Sequence, residues 1–357
     1  MKSPDVLTIN EALTRLASFG DILDARTPAE HALDHIPGAI STPVLSNDER
    51  VLIGIMYRQQ SGFEAKRAGA AIVARNIADL LETRFHNRPR DWAPLVYCWR
   101  GGNRSGALAT VLARIGWRVS ILEGGYKAFR QRVITDLEQC PSGLRFIVIA
   151  GRTGCGKSLL LHALDRLGAQ VLDLEAIARH RGSVLGRVPG EPQPAQRQFE
   201  TLLWDRLARF DPSRPVFVES ESRRIGVCHL PESLTLAIRA GDCVVLEATR
   251  PARANFLMAQ YPHFLTRPDE LEAQLLRLTE VHGHEVVKAW RALLAAGRWV
   301  ELVDNLLGLH YDPAYDRSMA SNFKRLGDAS VVTLDPNQAQ QLEALASSLL
   351  RGSTESR

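Results

Sequence analysis

The chain has 357 residues, with 44 Lys and Arg against 40 Asp and Glu and a net charge of +4 at neutral pH. At 45% apolar and 24% charged residues it has an ordinary globular composition, too long for a single core, and two domains are expected. No apolar run is long enough to span a bilayer and the opening MKSPDVLTINEAL has no signal-peptide core, so a cytoplasmic protein without a membrane partner is expected.

In chain order, DILDAR reads as a strand ending in turn chemistry, and HIPGAISTP as a punctuated loop entering another extended run. GFEAKRAGAAIVARNIADLLETRF has the apolar spacing of a long amphipathic helix. The strand LVYCW, the helix SGALATVLARIGW, the strand RVSILEGG and the helix YKAFRQRVITDLEQ complete a small parallel α/β unit. Pro, Ser and Gly interrupt the pattern at QCPSGLR, which sets the expected boundary: residues 1–138 form one domain and 139–357 the other. The second series offers five strands, RFIVIAG, AQVLDLE, RPVFVES, DCVVLEA and ASVVTLD, separated by helices that include DELEAQLLRLTEVHG and HEVVKAWRALLAAG. That alternation predicts a doubly wound parallel sheet with extra helices, and RGSTESR reads as a frayed end.

Two motifs carry chemistry. In CWRGGNRSG, Cys98 lies between a strand and a helix, so the N–H groups of a glycine-permitted loop and the helix dipole converge on one anion-favouring spot. Such a loop lowers a thiol pKa and cradles an oxyanion through Arg100, Gly101, Gly102, Asn103, Arg104 and Ser105. The alternative is a structural cysteine in a turn, which leaves the glycines and both arginines unexplained. The five cysteines, Cys98, Cys140, Cys155, Cys228 and Cys243, include no C-x-x-C pair, which argues against a disulfide framework or a zinc knuckle.

The second motif is GRTGCGKS: Gly151, Arg152, Thr153, Gly154, Cys155, Gly156, Lys157 and Ser158 fit G-x-x-x-x-G-K-[ST] between a strand and a helix. Its amides wrap a phosphate, Lys157 supplies a point charge, and Ser158 can hold a phosphate oxygen or Mg2+. An acid to organise that metal is not singled out: Asp173, Glu175, Glu219, Glu221 and Glu247 all end apolar strands. Arg223, Arg224, Arg250 and Arg253 follow two of these strands, where diphosphate or RNA phosphates are candidate contacts. No dedicated metal site and no tightly bound cofactor are expected.

The N-terminal ILDARTPAEHALDHIPGAISTP, with Asp24, Arg26 and Glu30, resembles a rhodanese-like domain, as does EGGYKAFR after the cysteine loop. Joined to a phosphate-loop domain that contains LDLEAIARHRGSVLG, ESESRRIG, LPESL and HYDPAY, the whole looks like the tRNA 2-selenouridine synthase family, from about Val6 to about Tyr315. The resemblance implies a transferase acting twice on the wobble 2-thiouridine of tRNA. Geranyl diphosphate first alkylates the sulfur, and selenium from selenophosphate then replaces it through a Cys98-bound intermediate. It implies tRNA as partner, with a selenophosphate-supplying enzyme. From their strand-end positions, Asp24 and Arg26 are expected to brace the cysteine loop, with a catalytic role as the alternative, and Glu219 and Arg223 to play supporting parts. Cys98 to Arg104 is C-x5-R, one residue longer than the C-x4-R of simple sulfurtransferases, which leaves room for a tetrahedral phosphorus species. The same spacing supports the rival reading, a cysteine phosphatase fused to a small-molecule kinase or nucleotide-binding domain, its general acid drawn from a loop such as Asp48 or Glu49. A third reading, a non-catalytic nucleotide switch that binds tRNA, leaves Cys98 without a task.

Overall fold

A computed structural model describes residues 3–183 and 185–355. The chain forms two α/β units, one of Met1–Asp136 with Ala195–Asp205, the other of Leu137–Pro194 with Arg206–Arg357. The first unit thus takes in eleven residues from far along the chain, most of the helix Gln196–Leu207.

In the first unit, strands β1 (Asp5–Leu7), β2 (Ile22–Asp24), β3 (Ala39–Ser41), β4 (Leu95–Tyr97) and β5 (Ser120–Leu122) form a sheet in the order β1-β5-β4-β2-β3, every pair parallel. Leu23, Val96, Leu108, Leu112 and Phe85 pack in its core. The expected amphipathic helix spans Gly62–Leu80 and passes into a wider turn at Leu81–Phe85. Thr27 and Glu30 form a reciprocal capping box that starts the helix Pro28–Leu33, satisfying two N–H groups the helix cannot. A second box, Ser46 and Glu49, starts a helix at Asn47–Gln59. Glu49 is committed there, to the Ser46 N–H and the Asn76 amide, where the phosphatase reading wanted a free acid.

The second unit places β6 (Phe146–Gly151) at the centre of a five-stranded sheet, with β7 (Gln170–Leu172), β8 (Val216–Glu219), β11 (Asp242–Glu247) and β12 (Ser330–Thr333) in the order β12-β11-β6-β8-β7. All are parallel, and β9 (Arg224–Ile225) pairs with β10 (Cys228–His229) as a separate small hairpin. The chain reverses its winding direction at β6, and in such sheets ligands bind at the C-terminal ends of the strands beside that switch. Between β11 and β12 a run of helices from Arg250 to Asn322 forms a separate apolar cluster around Trp290, Leu275 and Leu302. The C-terminus is helical over Ala339–Glu355, so most of the segment expected to fray is ordered, and its last two residues lie outside the described ones. Among the described residues no helix is long and apolar enough to cross a membrane.

Candidate active sites

The first site begins where β4 ends. Cys98 is buried, and the helix Asn103–Ile115 starts five residues on. Burial alone raises the thiol pKa. Here the Ser105 hydroxyl, 3.2 Å from Sγ, and the N–H groups of Ser105, Arg100 and Gly102 outweigh it and hold the thiol below its ordinary range. Several donors aimed at one sulfur make a loop that favours an anion.

The loop is held from behind by the EGGYKAFR segment. Tyr126 N–H donates to the Cys98 carbonyl at 2.8 Å and Lys127 N–H to the Trp99 carbonyl at 3.0 Å. Gly125 has φ +56°, and a Cβ there would collide with the Cys98 carbonyl and the Gly101 nitrogen. Only glycine allows the two chain segments this close.

Below the loop lies a buried polar layer. Asp24 and Arg26, both almost fully buried, form a bidentate pair with Nη2–Oδ2 at 2.6 Å. Tyr97 hydroxyl donates to Asp24 at 2.8 Å, and the Arg26 guanidinium lies 4.0 Å from the centre of the Tyr126 ring. Burial opposes ionisation of Asp24, yet bonds from His31 and Arg26 bring its pKa below the usual carboxylate value. These residues brace the loop through Tyr126. Asp34, absent from the sequence reading, accepts from Tyr126 at 2.7 Å and from Thr201 at 3.0 Å. Arg104 is engaged by Glu30 at 2.6 Å, the same carboxylate that caps the helix Pro28–Leu33. Arg100 is exposed and Trp99 half-buried.

The second site begins where β6 ends. Gly156, in the left-handed region, caps the helix Lys157–Arg166, and Lys157 Nζ folds back on the Gly151 carbonyl at 2.7 Å. Gly154, at φ +86°, lies against Arg253, whose Cβ would be 3.1 Å from an added methyl. Cys155 is buried in the core beneath the loop, and burial raises its thiol pKa, so it packs as a small apolar residue.

Four carboxylates, Asp173, Glu175, Glu219 and Glu221, cluster beside this loop. Ser158 hydroxyl donates to Glu175 at 3.0 Å, and Glu175 N–H donates to Glu219 at 2.8 Å. Burial raises the Glu175 pKa with help from Asp173, and raises Glu219 well above its usual value with help from Asp173, Glu175 and Glu221. Burial and Glu175 push Glu221 up to about 7. Glu247 is exposed at the end of β11. Among the described residues no group of three or more His, Cys, Asp or Glu is arranged to hold a metal.

HYDPAY now has a physical role. Asp312 forms a bidentate pair with buried Arg253, both bonds 2.8 Å, and Arg253 Nη1 also donates to the Thr153 carbonyl at 3.1 Å. Tyr315 hydroxyl accepts the Gly151 N–H, and Asp316, the next residue, pairs with Arg152 at 2.7 Å. Arg253 is therefore a structural cation under the loop. Arg223, in contrast, is more than half exposed and faces Glu232 at 3.7 Å, while Arg250 faces Asp304 at 3.8 Å.

Comparison with known proteins agrees with both halves. A family model described as a tRNA 2-selenouridine synthase AAA domain matches residues 144–269, and a rhodanese-like domain model matches residues 8–132. The chain is 32% identical to a tRNA 2-selenouridine synthase of Nitrosomonas europaea, over 75% of this chain and 69% of that one. It is 31% identical to the protein of that name from Shewanella loihica, over 82% and 77% of the two chains. A Sulfurovum relative is 29% identical over 90% of this chain and 93% of its own. With a rhodanese-like sheet carrying Cys98 and a phosphate-loop sheet carrying Lys157, the chain belongs to the tRNA 2-selenouridine synthase family.

Proposed function

We propose that this protein modifies tRNA in two chemically linked steps, geranylating the sulfur of wobble 2-thiouridine and then exchanging that sulfur for selenium. The observation that carries this reading is a thiol held below its ordinary pKa range in an anion-favouring loop, on the same chain as a phosphate loop.

In the first step the phosphate loop binds the diphosphate of geranyl diphosphate. The thiouridine sulfur bonds to geranyl C1 as the C1–oxygen bond breaks, pyrophosphate leaves with the electron pair, and the N3 proton of the base passes to solvent. Lys157 and the loop amides stabilise the charge that develops on the leaving oxygens. A Mg2+ ion arriving with the diphosphate would rest on Ser158 and Glu175, and would supply further charge neutralisation. Alkylation converts the ring sulfur into a competent leaving group.

In the second step selenophosphate occupies the Cys98 loop. Carriage of selenium as a Cys98 S–Se group requires a two-electron oxidant when that bond forms and a thiol reductant when selenium leaves. A redox-neutral form needs neither. Cys98 thiolate attacks phosphorus, the sulfur–phosphorus bond forms and the phosphorus–selenium bond breaks. Selenide leaves with the electron pair, attacks C2 of the uracil ring and expels geranylthiolate, and water hydrolyses the phosphocysteine. In this form the Ser105 hydroxyl on Sγ stabilises the thiolate both before attack and when phosphate departs.

The test is nucleoside mass analysis of 2-thiouridine tRNA given geranyl diphosphate and then selenophosphate. Cys98→Ala is expected to accumulate the S-geranyl nucleoside without selenium, and Lys157→Ala to stall before geranylation. Wild-type protein that leaves the nucleoside untouched with both donors present would overturn the reading. Acid quenching with label on either selenium or phosphorus shows which atom Cys98 carries.

A further inference from the structure

The helices inserted between β11 and β12, with Ser183 and Leu185, line an apolar chamber that reaches Thr153 of the phosphate loop. Thr153 of the loop is part of its wall, and the rest of the lining is supplied almost wholly by Leu, Met, Val and aromatic side chains. The helix Arg250–Gln260 links loop to chamber: Arg253 donates to the Thr153 carbonyl, and one turn on Leu257 faces the cavity. Leu302 and Leu306, one turn apart on the helix Trp299–Leu306, line the buried end with Phe264. Among the described residues no charged side chain lines the chamber. Its polar atoms are also largely committed, since Ser183 bonds to the hydroxyls of both Tyr261 and Tyr311.

We propose that this chamber receives the hydrocarbon tail of a prenyl diphosphate whose diphosphate lies on the phosphate loop. The inference rests on the prenyl-transfer reading above and adds where the tail goes. A nucleobase entering the same space would lose its hydrogen bonds to water and find few replacements, which is costly. A hydrocarbon loses nothing polar and gains with each methylene buried. The continuity of the wall with Thr153 gives the ligand its direction, diphosphate on the loop and tail among the helices.

The experiment is calorimetric titration of the full chain with pyrophosphate, geranyl diphosphate and fifteen-carbon farnesyl diphosphate. Wild-type protein is expected to bind geranyl diphosphate about a hundredfold tighter than pyrophosphate, a gain that burying about three or four methylenes suffices to supply. Met258→Trp and Val303→Trp each fill the chamber from a half-buried position. Each is expected to reduce geranyl diphosphate to the affinity of pyrophosphate, with pyrophosphate itself unchanged. If wild type prefers geranyl diphosphate and both filled variants keep that preference, the tail lies elsewhere: the chamber assignment falls while prenyl transfer survives. If wild type binds the two ligands equally, prenyl recognition itself fails and the inference with it. Should a tryptophan variant lose pyrophosphate as well, Met258→Ala decides, because it enlarges the space. A shift of preference toward farnesyl diphosphate supports the assignment, and an unchanged chain-length profile overturns it.

Discussion

The Ser105 hydroxyl donates to the Cys98 sulfur at 3.2 Å, and it is the side-chain donor among groups that otherwise come from the backbone. A hydrogen bond to a charged acceptor contributes about 1.5–3 kcal/mol, so removing it moves the thiol pKa upward by about one to two units. Ser105→Ala is expected to slow alkylation of Cys98 by iodoacetamide at neutral pH roughly tenfold, because less thiolate is present. Ser105→Thr restores the donor and most of the rate. The pH profile of alkylation, with Cys98→Ala as the blank, measures both. An unchanged profile in Ser105→Ala would remove the hydroxyl from the account of the loop.

Gly125 bears the weight of the opposite side of the same loop. An added Cβ would collide with the Cys98 carbonyl, and φ of +56° strains any other residue. Gly125→Ala is expected to cost about 2–4 kcal/mol, read from urea unfolding of the full chain. It should abolish selenium incorporation and leave pyrophosphate binding in place, since the phosphate loop belongs to the other unit.

Two ion pairs at the phosphate loop differ in burial and so in consequence. Arg253 and Asp312 are buried, and Asp312→Ala leaves the guanidinium without its charge partner, at a cost of about 3–5 kcal/mol. Arg152 and Asp316 are each about half exposed, 48% and 49%, and Asp316→Ala is expected to cost less than about 1 kcal/mol. Thermal melts of the two variants compare them directly. Equal losses would mean that Arg253 does not act as a buried cation beneath the loop.

Glu221 makes the phosphate-loop unit sensitive to pH near neutrality. Its pKa is raised from 4.5 to about 7, so the folded state holds a proton there that the unfolded state has released. Stability from this group is complete below pH 4.5 and falls as pH rises to about 7, by up to about 3 kcal/mol in total. Glu221→Gln keeps the site neutral and is expected to flatten the decline in denaturation midpoint between those limits. A variant that follows the wild-type slope would place the proton on another carboxylate of the cluster.

Both candidate sites were legible as loops because each is contiguous. A strand, a glycine-bearing loop and a helix start, as in APLVYCWRGGNRSG and RFIVIAGRTGCGKS, specify backbone conformation through local sterics and hydrophobic period alone. Parallel sheets followed from apolar strands alternating with helices, and the pairing of the two motifs pointed to the family. The partners that make the loops work were not legible in this way. Arg104 meets Glu30 across 74 residues, Tyr126 meets Asp34 across 92, and Gly151 meets Tyr315 across 164. Asp173, Glu175, Glu219 and Glu221 read as separate strand ends until β7 and β8 brought them to one edge of the sheet. The apolar chamber is built from helices whose period predicts only that they bury a face, without saying against what. Local sequence determined where the Cys98 loop and the glycine-rich loop lie, each between a strand and a helix. Long-range packing decided which charges are paired, which carboxylates keep their protons and where hydrocarbon can enter, because those depend on neighbours that only folding supplies.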